Sequence, residues 1–184
     1  MRFTLQYQGS LRSNGRPKDK QLIRRALHAQ LSALWQLPPL KKLRSTMLDP
    51  LQSMRPAVIS RVGGFNFAPL VSSKYQMGAK VKVIFLRPGP PGNVLTQGGD
   101  IDNRMKTLFD ALRMPQTPDE LPARDAPGPD EDPFFCVLED DSLVTEVTVA
   151  TDVLLAPVAK NEVHLLIQVE TVLLEPNFYN LPLA

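Results

Sequence analysis

Gly99-Asp100-Ile101-Asp102-Asn103-Arg104-Met105-Lys106-Thr107-Leu108-Phe109-Asp110-Ala111-Leu112 carries Ile101, Met105, Leu108 and Leu112 at i, i+4, i+7 and i+11. That is one stripe of an amphipathic helix, which must lay its apolar edge on a larger body. Asn103, Lys106 and Asp110 make the opposite, polar face. Asp100 and Asp102 stand at the mouth of this helix, and on an extended approach their i, i+2 spacing turns both carboxylates to one side. Like charges that close ionise together only when a cation or donors compensate them, and a divalent metal, the helix dipole and Lys106 are the compensators on offer. The spacing therefore has two readings, a metal site and simple N-capping by one of the two Asp residues. A second acidic point, Glu139-Asp140-Asp141-Ser142, lies downstream.

The chain around these two points has 184 residues, 43% hydrophobic and 22% charged, an ordinary globular composition long enough for one domain with a real core. No apolar run reaches membrane-spanning length, and Met1-Arg2-Phe3-Thr4-Leu5-Gln6 turns polar at once, so a cytoplasmic protein is expected. Cys136 has no Cys or His neighbour at metal-ligand spacing; it reads as a small buried residue beside Phe134, Phe135 and Val137. The net charge of +2 hides a division. Residues 1–99 hold sixteen Lys and Arg against two Asp, net +14, and residues 100–184 hold five against seventeen acids, net −12. A basic half joined to a carboxylate-rich half suits a protein that attracts a polyanion, unless the halves interleave in space and cancel.

In chain order, Arg2 to Gln8 alternates as a half-buried strand. Asp19 is placed to cap a helix with Ile23, Leu27, Leu31 and Leu34 as its core stripe, Arg24, Arg25 and His28 falling on its surface, and Pro38-Pro39 ending it. Lys41-Lys42-Leu43-Arg44 forms a compact basic patch, with a short helix near Met47 to Met54. Phe65 to Leu70 is extended, and Ala79 to Leu86 is a strand with Val81, Val83 and Phe85 on one face and Lys80 and Lys82 on the other. A Pro/Gly loop then leads into Asp100. The Pro-rich acidic stretch at about 114–133 has no periodicity and reads as a poorly ordered surface excursion whose acids are solvated. Leu143 to Leu155 and Asn161 to Leu174 alternate as two strands, expected to pair as a hairpin through the Pro157 to Lys160 turn, with His164 on the outer, solvated side.

Asp100-Ile101-Asp102-Asn103, Lys106, Phe109-Asp110-Ala111-Leu112 and finally Asp140-Asp141 before a Val-rich strand resemble the RusA family of Holliday-junction resolvases. The resemblance covers residues 1–20 weakly and 77–112 and 134–172 well. It implies an α+β fold, a small mixed sheet with two main helices packed on it, in a single domain over 1–184, in a homodimeric endonuclease typical of phage and prophage genomes. It also implies a Mg²⁺ site made of Asp100, Asp102 and Asp141, with Lys106 stabilising phosphate or orienting the nucleophile. DNA, as four-way junctions, is the implied partner, and Arg24, Arg25, Lys41, Lys42, Arg44 and Arg104 are the cations expected to meet its phosphates. The chain departs from the family in having Thr96-Gln97-Gly98-Gly99 where basic residues usually precede the first Asp, and in the extra Pro-rich loop. Residues 36–71 have no counterpart in the family.

Phosphodiester hydrolysis needs a neutralised phosphate, an activated water and a stabilised leaving oxyanion, and Mg²⁺ on carboxylates meets all three needs. The leading expectation is thus a Mg²⁺-dependent, structure-selective DNA endonuclease that resolves Holliday junctions by paired nicking. The alternative is a non-catalytic nucleic-acid-binding or phage structural protein that has kept the fold. A glycosyltransferase reading of the D-x-D lacks any nucleotide-binding pattern to accompany it.

Overall fold

A computed structural model describes residues 1–49, 57–87, 101–156 and 162–184. The class is α+β, with two sheets and three α-helices among the described residues, where one sheet and two main helices were expected. The first sheet has the order β1-β7-β4-β6, built from β1 (Arg2–Ser10), β4 (Met77–Arg87), β6 (Val144–Val153) and β7 (Glu162–Leu173). The second, absent from the sequence reading, has the order β2-β3-β5, from β2 (Ser60–Val62), β3 (Phe65–Val71) and β5 (Phe134–Leu138).

Period-2 alternation places the first sheet's inner face. Leu5 and Tyr7 of β1, Val81, Val83 and Phe85 of β4, and Val163, Leu165, Ile167 and Val169 of β7 are all buried, while Lys80 and Lys82 are exposed on the far face. Against that inner face lie α1 (Pro17–Leu34) and α3 (Ile101–Leu112), whose Ile23, Leu27 and Leu31, and Met105, Leu108 and Leu112, join one core. Pro17 occupies the first helical turn of α1, where its missing N–H costs nothing, and Asp19 reaches back to accept the Arg16 backbone N–H at 3.0 Å. Asp19 thus caps from the third helical position and is not itself the N-cap. A third helix, α2 (Leu40–Leu48), starts earlier than the short helix expected over 47–54 and carries Lys41, Lys42 and Arg44.

The expected hairpin between the last two strands does not form. β7 lies between β1 and β4, antiparallel to both, and β6 takes the opposite edge of β4, parallel to it. β7 alternates buried with half-buried residues, one face on the core, whereas β6 at the sheet edge leaves Val147 50% and Val149 38% exposed. The turn residues 157–160 lie outside the described residues.

The stretch at 114–133 lies on the surface, with Asp119, Asp130 and Asp132 exposed, but it is anchored to the body rather than loose. Met114 and Leu121 are buried with Phe65, Phe67, Phe134 and Cys136 in a second core cluster. Arg113 holds Glu120 at 2.9 Å, and Arg25 holds Asp125 at 3.0 Å and Glu131 at 2.8 Å. This strap covers the polar side of α1, so His28, expected on the surface, is 5% exposed. His28 Nδ1 accepts the Phe135 backbone N–H at 2.9 Å, which leaves the proton on Nε2, 3.0 Å from the Asp130 carbonyl oxygen. Cys136 is buried, as its neighbours suggested, and burial pushes its thiol up. No helix of the described residues is long and apolar enough to cross a membrane.

Candidate functional site

Backbone ties bring the C-terminal end of α3 beside the turn that carries the second acidic point. After α3 the Met114 N–H donates to the Leu138 carbonyl oxygen at 2.9 Å, and Arg113 bridges Leu138 in parallel, so α3 and β5 end side by side. Two further bonds hold the turn after β5: the Glu139 N–H donates to Val71 O at 2.9 Å, and Gln116 Nε2 donates to Glu139 O at 2.8 Å.

The three consecutive acids of that turn then divide their work. Glu139 Oε2 accepts from Ser72 Oγ, Ser73 N and Ser73 Oγ at 2.7, 2.8 and 2.9 Å and is fully occupied. Asp140 caps a 3₁₀ turn (Asp141–Leu143) by accepting the Ser142 N–H at 2.9 Å, and the Ser142 hydrogen bonds hold its carboxyl below the usual range. Asp141 is left to face a groove of about 510 Å³ lined also by Lys106, Phe109 and Asp110 of α3, and by Ser142, Val144 and Val147.

Lys106 of α3 and Asp141 of the turn after β5 thus line one groove from two separate elements. Asp110 also lines it but is already paired, with Lys20 Nζ at 2.7 Å and Arg113 Nη2 at 3.3 Å. Asp102 is exposed in the first turn of α3, one helical turn from Lys106 on the same face. Asp100 lies outside the described residues. Among the described residues no group of three or more His, Cys, Asp or Glu gathers to hold a metal ion. The donors that are described, Asp102 and Asp141, are carboxylates, the ligand type Mg²⁺ prefers. Chemically, the groove offers an ammonium and a carboxylate in its lining, together with the apolar Phe109, Val144 and Val147.

The expected DNA-contacting cations fare unequally. Arg24 is 1% exposed, a correction to its surface placement: the strap and α3 enclose it, and burial pulls its guanidinium down to about 10. Arg25 is likewise spent, on Asp125, Glu131 and the Ala126 carbonyl. Hydrogen bonding to Glu131, then to Asp125, raises its guanidinium above the ordinary value against the opposing effect of burial. Lys41 and Lys42 remain exposed on α2, while Arg44 stacks over the Phe135 ring at 5.6 Å. Arg104 is half-buried, and burial together with neighbouring Arg87 lowers its guanidinium. Through Lys20–Asp110, the two Arg25 pairs and Lys80–Glu146, the basic and acidic halves of the chain interleave and partly cancel.

Sequence reasoning missed Asp110 as a groove residue and Lys20 as its partner. The signals were that Asp110 shares the polar face of α3 with Lys106 and stands in the Phe109-Asp110-Ala111-Leu112 stretch that carries the resemblance. No family model matches the chain, and no curated protein matches it.

Proposed function

We propose that this chain is a Mg²⁺-dependent, structure-selective DNA endonuclease of the RusA type, acting on four-way junctions by paired nicking as a homodimer. The observation that carries the reading is the groove shared by Lys106 and Asp141, because these are two of the four residues that the motif resemblance assigns to chemistry. Asp102 and Asp141, with Asp100 from outside the described residues, would hold the ion. Bound there, Mg²⁺ would supply neutralisation of phosphate charge and activation of the attacking water. The Lys106 ammonium takes a non-bridging phosphate oxygen, and Asp110, neutralised by Lys20 and Arg113, keeps the α3 face that bears Lys106 in place.

The test sets the two neighbouring aspartates against each other. A labelled four-way junction and a linear duplex are incubated with the wild type, Asp102→Asn, Asp141→Asn and Asp140→Asn, in Mg²⁺ and in EDTA. Paired, Mg²⁺-dependent nicking of the junction is expected from the wild type. Asp102→Asn and Asp141→Asn should lose about a thousandfold, roughly 4 kcal/mol of transition-state stabilisation. Asp140→Asn should stay within a few-fold, since Asn caps as well as Asp does. Junction binding with no cleavage by the wild type in any divalent metal would overturn the enzyme in favour of a non-catalytic nucleic-acid-binding protein.

A further inference from the structure

The loop that leads into α1 is riveted to α3. The Gly15 backbone N–H donates to Thr107 Oγ1 at 2.8 Å, in a buried bond, and Thr107 Oγ1 donates on to the Asn103 carbonyl at 3.1 Å. A Cβ at Gly15 would stand 2.5 Å from Thr107 Cγ2, so only glycine lets the loop approach this closely. One turn further on, Lys20 meets Asp110, and Asp110 is itself a wall of the groove. The loop is therefore held on the motif helix at Thr107, and α1, which follows it directly, reaches a wall of the groove at Asp110.

Its cations point outward. Arg12, Arg16 and Lys18 are all exposed. The Arg12 side chain is 67% exposed, and its 3.8 Å approach to Asp19 is at the limit of an ion pair. Asp19 already serves the Arg16 backbone N–H, and among the described residues neither Arg16 nor Lys18 has a carboxylate at ion-pair distance. This contrasts with Arg24 and Arg25 further along α1, whose charges are consumed inside the fold. No aromatic side chain lies between Arg12 and Lys18 to stack on a base, so the ligand these residues suit is a run of phosphodiesters.

We propose that Arg12, Arg16 and Lys18 form a phosphate-binding rail, fixed on α3 through Gly15 and Thr107, that holds the sugar-phosphate backbone of the nucleic acid entering the groove. The rail rests on the nucleic-acid reading of the groove and deepens it, and its test needs no cleavage. Binding of the full chain to a four-way junction and to a linear duplex is measured in EDTA across a salt series. Replacing Arg16 and Lys18 together by Ala should weaken both complexes and reduce the log–log salt slope by about 1.8, with about 0.9 more on adding Arg12→Ala. Arg2→Ala with Lys82→Ala removes the same charge from the open far face of the sheet and should leave the slope unchanged.

Gly15→Ala should weaken binding by pushing the loop off α3. Thr107→Ser in the same chain removes the clashing methyl, keeps the hydroxyl and should restore affinity. An unchanged slope in the Arg16, Lys18 variant, or an equal drop in the far-face control, overturns the rail while leaving the groove reading intact. A wild type that binds neither DNA overturns both.

Discussion

Arg24 on α1 closes the C-terminal end of α3: its Nη2 donates to the Asp110 carbonyl oxygen at 2.6 Å and its Nε to the Arg113 carbonyl oxygen at 3.4 Å. Those carbonyls belong to the last turn of the helix and its continuation, where no intrahelical donor remains and the helix dipole favours a cation. A buried guanidinium without an ion-paired carboxylate is thereby explained as a cap.

Arg24→Ala is expected to destabilise the fold by about 3 kcal/mol, since hydrogen bonds to charged groups contribute about 1.5–3 kcal/mol and the orphaned carbonyls stay buried. Arg24→Lys should recover only part of this, because an ammonium cannot span both carbonyls with a planar fork. Urea unfolding decides the matter, and an Ala variant as stable as the wild type would remove the capping role.

The 114–133 strap should resist deletion. Removing residues 116–132 would strip Leu121 from Phe65, Phe67 and Phe134, leave Arg25 without its carboxylates and take Glu120 from Arg113. Leu121→Ala alone is expected to cost about 2 kcal/mol. A soluble deletion variant with an unshifted Tm would show the strap to be dispensable.

Acid should loosen the same strap. Burial acts to raise the Glu131 carboxyl, but the Arg25 hydrogen bond and the Gly128 N–H outweigh it and hold the group below its ordinary value. A carboxylate depressed in the folded state contributes stability that is present above its unfolded pKa and is lost as pH falls through the folded one. The stability difference between the wild type and Glu131→Gln should therefore be full near pH 7 and shrink below about pH 4. Urea melts across that range measure it, and a difference that widens on acidification would contradict the assignment.

Much of the secondary structure was legible because periodicity reports one buried face directly. Leu5 and Tyr7 in β1, Val81, Val83 and Phe85 in β4, and Met105, Leu108 and Leu112 in α3 all turned inward as their spacing requires. A period cannot reveal a second neighbour, however. Arg24 and His28 fall outside the apolar stripe of α1, and they are buried because a strap distant in sequence and β5 cover that side too. The strap looked loose because Asp125 and Glu131 were counted without Arg25 on α1, and Glu120 without Arg113.

For the site, residue types and spacing singled out Lys106 on the polar face of α3 and a run of three acids downstream, since amphipathic geometry is local. Which acid faces the groove is not local. Ser72 and Ser73 occupy Glu139, and the Ser142 N–H occupies Asp140, so Asp141 is selected by exclusion. Strand order was equally invisible, because β6 and β7 both alternate and each would accept the other as partner. Tertiary packing separated them, giving β7, buried on its inner face from Val163 to Thr171, a partner on both edges, and leaving β6 at the rim beside the groove.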